Sequence, residues 1–129
     1  MSDIRTIHGL LGSVTLLVGV FAVFLFAVAW MSKRAYTGFH RGLFGVFAWL
    51  LILQGVSGAF YLARFFSSGV ELVPSAWAHL GVSALAVTLA QTYRAWTNQS
   101  DAEKHRNLCL TALASVALSV FGMMLLGRS

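Results

Sequence analysis

Apolar residues in this chain do not alternate with polar ones; they run in blocks. Residues 9–32, 42–63, 72–93 and 107–127 contain no Asp, Glu, Lys or Arg. Each block reaches the roughly 20 residues that a helix needs to cross a hydrocarbon core. Leu, Ala, Phe and Gly dominate, strict alternation is missing, and an open sheet would leave unpaired edges in lipid. The pattern predicts an all-α membrane protein, one transmembrane domain over residues 1–129, with helices at about 3–31, 37–66, 75–97 and 101–127.

Local signals set those bounds. Ser2 is placed to cap the first helix, and a turn over residues 32–38 leads into the second. Ser67-Ser68-Gly69 and Pro74 separate the second from the third, and Ser100-Asp101-Ala102-Glu103 has the form of a capping box at the start of the fourth. Connections this short make neighbouring helices antiparallel, which gives an up-down four-helix bundle. A faint repeat supports paired hairpins: His40-Arg41-Gly42-Leu43 heads helix 2 and His105-Arg106-Asn107-Leu108 heads helix 4. Chance similarity between apolar segments gives the same impression, and the functional reading does not need the repeat.

Composition agrees with lipid as the solvent. The chain of 129 residues is 58% apolar and 10% charged, too little polar surface for a soluble domain. The first block is too long for the apolar region of a signal peptide, and Trp30-Met31-Ser32-Lys33 offers no small-x-small cleavage site. It is read as a permanent helix. Cys109 is the only cysteine, which excludes an internal disulfide and covalent haem attachment through a CxxCH motif. It reads as a small packing residue.

The net charge of +5 is spread over helix ends rather than gathered in a patch for nucleic acid. Lys33, Arg34, Arg41, Arg94, Lys104 and Arg106 lie at the 1–2 and 3–4 connections, whereas Arg5, Arg64 and Arg128 lie at the other end. The positive-inside rule makes the first set cytoplasmic, with both termini outside a plasma or inner membrane.

Candidate chemistry comes from four histidines. His8, His40, His79 and His105 are the only ones, one per helix, each within two turns of its helix start. A random scatter gives this roughly once in a thousand trials, by a crude count. Helices 1 and 3 start outside and helices 2 and 4 start inside, so His8 pairs with His79 at one depth and His40 with His105 at another. Each pair bridges a diagonal of the bundle, where a flat macrocycle fits with one imidazole on each face of its metal. Two bis-histidine haem b groups follow as the expectation, their irons on the order of 20–30 Å apart by helix rise.

Anionic propionates would need cationic donors, for which Arg41, Arg106, Arg5 and Arg94 are the candidates. The plain alternative for these arginines is cytoplasmic anchoring, and for the many glycines it is close helix packing. A lone histidine at a helix end is more often an interfacial residue than a ligand. Four at matched depths reverse that weighting. Isolated zinc or copper is disfavoured, because each level offers two imidazoles and no carboxylate or thiolate.

Four histidines on four helices, pairing between alternate helices and the His-Arg steps at His40-Arg41 and His105-Arg106 resemble the cytochrome b561-like group of small di-haem membrane cytochromes. The resemblance covers the whole chain and is one of architecture and ligand spacing. It implies transmembrane electron transfer, with ascorbate, quinol or a redox protein as donor. This chain lacks the flanking helices of better-known members, and no ascorbate motif is visible. Tyr61, Tyr93 and Gln54 are the residues to consider for a quinone. An alternative within the same chemistry is a haem-bearing subunit of a larger complex or a homo-oligomer. Two other classes compete: a small transporter, which lacks ionisable groups at mid-membrane, and a structural subunit with incidental histidines.

Overall fold

The computed structural model describes residues 2–96 and 98–126, and for Ser2 the backbone alone. Thr97, Gly127 and Arg128, named above at helix ends, lie outside the described residues. The described residues form helices joined by short connectors, with no strand among them: α1 (Ser2–Met31), α2 (Gly38–Ser67), α3 (Pro74–Ala90) and α4 (Asp101–Leu126). A 3-10 turn, Gln91–Ala95, continues α3.

Asp3–Met31, Gly38–Ser67 and Asp101–Leu126 are long and apolar enough to cross a membrane. The third helix is not. Its α-helical part has 17 residues, about 26 Å at 1.5 Å per residue against a core of roughly 30 Å. The expected third span, over 75–97, is therefore corrected to a shorter α-helix with a 3-10 tail. The tail begins where the apolar run gives way to Gln91, Thr92 and Arg94. Ser2 also stands inside α1 rather than before it.

Each boundary has a local cause. α1 ends in a Schellman-type turn: Lys33 N–H donates to the Trp30 carbonyl at 3.3 Å and Arg34 N–H to the Ala29 carbonyl at 2.9 Å. Lys33 takes φ 54°, the left-handed position usually held by glycine. Thr37 caps α2, and His40 three residues later accepts the Thr37 N–H through Nδ1 at 3.1 Å. An imidazole thus does the work that Glu or Gln does in a capping box. Pro74 opens α3, where its missing N–H costs nothing. Ser100 Oγ accepts the Glu103 N–H at 3.3 Å, as the sequence box anticipates.

Neighbours in sequence are neighbours in space, and α4 closes the ring against α1; the α2–α3 seam is the loosest. The dry core holds Ala22, Phe26, Phe44, Phe47, Leu108 and Ala112. Gly19 brings α1 close to both partners, since a Cβ there would lie 2.6 Å from Val116 Cγ2 and 2.7 Å from Phe47 Cε1. The outer faces carry large apolar side chains such as Leu17, Phe24, Trp49 and Leu85. That inverted surface suits lipid rather than water.

The alternating helix directions gather Lys33, Arg34, Arg41, Arg94, Lys104 and Arg106 at one end of the bundle, with His40 and His105. His8 and His79 stand at the opposite end.

Candidate functional site

At the end opposite the basic one, α1 and α2 jointly hold His8. Ser57 Oγ donates to the Gln54 carbonyl at 2.9 Å, so its lone pairs face His8 Nδ1, also 2.9 Å away. The Nδ1 atom therefore carries the ring proton and Nε2 the lone pair. The Gln54 amide nitrogen approaches that lone pair at 3.4 Å, and Gln54 Oε1 is buried without a partner. Tyr61 lies parallel to the His8 ring, centroids 6.4 Å apart.

His79, on α3, repeats this tautomer by another route. Its Nδ1 lies 3.0 Å from the Gly122 carbonyl on α4, which can only accept. Again Nε2 is the nitrogen with a lone pair. Metal-ligating histidines characteristically commit the other ring N–H to an oxygen in this way. Bare backbone surrounds both rings. A Cβ on Gly58 would lie 3.0 Å from His8 Cε1, one on Gly122 3.3 Å from His79 Nδ1, and one on Gly12 2.9 Å from Gln54 Nε2. Both imidazoles are partly buried, on helices that lie diagonally across the bundle.

The basic end is built differently. His40 and His105 touch directly across the α2–α4 diagonal, ring centroids 4.6 Å apart at 72°. His105 is fully buried and His40 nearly so. The Arg34 carbonyl, presented by the turn after α1, accepts the His105 Nε2–H at 3.0 Å. That leaves His105 Nδ1 as a buried acceptor with no partner. Accepting the Thr37 N–H makes His40 Nδ1 the lone-pair nitrogen and puts the proton on Nε2. Phe26, Tyr36 and Phe39 pack around the two rings. Tyr36 sits in the connector, where burial pushes its phenol up; the Arg41 charge pulls it partly back and Tyr93 adds to the rise. The Lys104 ammonium stands 4.9 Å from the Tyr36 ring centroid.

The two levels differ in their fit to a haem. A haem held between two imidazoles would keep their rings apart, with the macrocycle between them. The His40–His105 contact at 4.6 Å, its aromatic packing and the protonated His40 Nε2 do not fit that group. At the opposite end both rings direct Nδ1 to an oxygen and keep the Nε2 lone pair, which fits.

The candidate arginines are all exposed. Arg106 Nε donates to Asn107 Oδ1 at 3.3 Å, Arg94 Nε to Tyr93 Oη at 3.4 Å, and Arg41 lines a groove on α2. Arg5 lies at the His8 end of α1. Of the residues considered for a quinone, Gln54 and Tyr61 join His8, while Tyr93 stands at the basic end against Phe44, 5.1 Å away. Sequence reasoning missed Ser57 and Gly122, which hold the histidine rings, and Tyr36 between the inner pair. Only the placement of Ser57-Gly58 one turn after Gln54 could have pointed to them. Among the described residues no three His, Cys, Asp or Glu side chains converge to hold a metal ion. No family model, curated protein or solved structure matches the chain, so the site's own geometry is the ground for any functional reading.

Proposed function

We propose that this chain is a membrane-embedded electron carrier of the b-type cytochrome kind, in which His8 and His79 would hold one haem b through their Nε2 atoms. The observation that carries the reading is the shared tautomer: both rings commit Nδ1–H to a protein oxygen, Ser57 Oγ and Gly122 O, and keep Nε2 for a metal. Haem b, when bound, supplies reversible one-electron chemistry.

The protein's part is to fix ring orientation, to keep the site in a low-polarity setting and to let the rings lie close against backbone at Gly58 and Gly122. Gln54 is placed to give up its weak contact with His8 Nε2. The His40–His105 pair serves the fold instead, tying the α1–α2 connector to α4. We further propose that α3 with its 3-10 tail completes a fourth crossing, and that the basic end faces the cytoplasm of a plasma or inner membrane.

An optical spectrum of the purified full-length chain tests this. Reduced-minus-oxidised bands of a six-coordinate b haem, at one haem per chain, are expected. His8→Ala and His79→Ala should each abolish the bands, whereas His105→Ala should retain them. A colourless protein would remove the cytochrome reading and return a cofactor-free assembly subunit or small transporter. Two haems per chain would bring His40 and His105 back as ligands.

A further inference from the structure

A groove of about 550 Å³ runs along α2 from the basic end, between that helix and Tyr93 of the 3-10 turn. Its origin is plain in the sequence. Gly38, Gly42 and Gly45 repeat at helical spacing on one face of α2, and the face they leave bare lies on the loosest seam of the bundle. Trp49 and Leu53 extend the apolar floor away from the basic end. From Gly38 to Leu53 the groove follows the helix for about 22 Å at 1.5 Å per residue.

Its head is cationic. Arg41 lines the groove, and Arg94 stands with its guanidinium 5.6 Å from the Tyr93 ring centroid. Among the described residues neither guanidinium has a carboxylate partner. A cationic mouth over a long apolar channel, at the basic end of a membrane bundle, has the complementarity of one amphiphile.

We infer that this groove seats an anionic phospholipid, its phosphate on Arg41 and Arg94 and one acyl chain along Gly42, Gly45 and Trp49. Charge decides against a second copy of the chain. α2 carries no Asp or Glu, so a two-fold contact through this face would set Arg41 against Arg41 with nothing to neutralise either. A soluble anion would satisfy the arginines and leave the apolar channel without purpose. The inference is independent of haem.

Native mass spectrometry of the delipidated full-length chain, titrated with dioleoyl phosphatidylglycerol or phosphatidylcholine, tests it. The expected result is several-fold preferential retention of phosphatidylglycerol. R41Q/R94Q should bind the two lipids equally. Gly42 has open space around its Cβ position, so G42L should fold and lower retention of both lipids. Equal retention by the unsubstituted chain, or a preference unmoved by R41Q/R94Q, would overturn the assignment. So would a dimer that G42L abolishes, which gives the face to a second copy, or competition by inorganic phosphate, which reduces the site to its arginines.

Discussion

In the proposed haem site, Ser57 and Gly122 would act on chemistry they need never touch. Each supplies the oxygen that fixes a histidine tautomer, by its side chain in one case and its main chain in the other. Ser57→Ala should weaken haem retention by about 10–100-fold, the usual cost of losing a partner behind a metal ligand. Haem-transfer kinetics to apomyoglobin would measure it, and unchanged retention would detach Ser57 from the site. Gly122→Ala puts a Cβ 3.3 Å from His79 Nδ1 and should swing that ring off its carbonyl, with a comparable loss. Tyr36 tests electrostatics at the same scale. Because burial raises its phenol above the ordinary value of about 10, the folded state holds the proton more tightly than the unfolded chain does. The associated stability is fully present below about pH 10 and is lost as pH rises through the folded value. Thermal unfolding from pH 9 upward should fall more steeply for the unsubstituted protein than for Tyr36→Phe; identical slopes would contradict this.

Helices show which parts of the fold were legible and which were not. The charge-free blocks and the Ser100–Glu103 box placed the elements because both are local signals, written in hydropathy and in a single hydrogen bond. The weakness of α3 was harder to see. Its run holds no charge up to Tyr93, yet Gln91 directs its amide to the Ala48 carbonyl on α2, 3.2 Å away, where the α-helix ends. That is a tertiary choice no window of hydropathy contains. The histidine spacing singled out four residues but not the different contacts they make, because those depend on what each ring nitrogen meets in the folded chain. His40 meets the backbone of its own cap and His8 meets a serine 49 positions away. Packing sets a further expectation for α1. Gly19 lies against Val116 and Phe47 with no room for a methyl group, so Gly19→Val should destabilise the bundle by about 1–3 kcal/mol or more, the range for overpacking. Reversible unfolding in mixed micelles would measure it, and a neutral result would mean that α1 can shift freely.

For the whole molecule, the two ends of the bundle differ in kind. One carries two histidines whose Nδ1 atoms meet protein oxygens beside glycine backbone, and the other a filled aromatic core around two rings in contact. The connectors differ accordingly. The hinge between α2 and α3 turns at Gly69, with φ 75°, and its Val70 and Glu71 are exposed. The bend between α1 and α2 is equally short and largely exposed, but it supplies the Arg34 carbonyl to His105 and the Thr37 N–H to His40. A few residues of loop can therefore act as a fastener for helices distant in sequence. Inserting a short Gly-Ser tag after Gly69 should leave melting behaviour unchanged. The same tag after Ala35 should uncouple α4 and lower the melting temperature by several degrees, as a loss of about 1–2 kcal/mol would. Anyone attaching a reporter to find which side of the membrane each loop faces would then work with an undisturbed protein at the first position and a weakened one at the second.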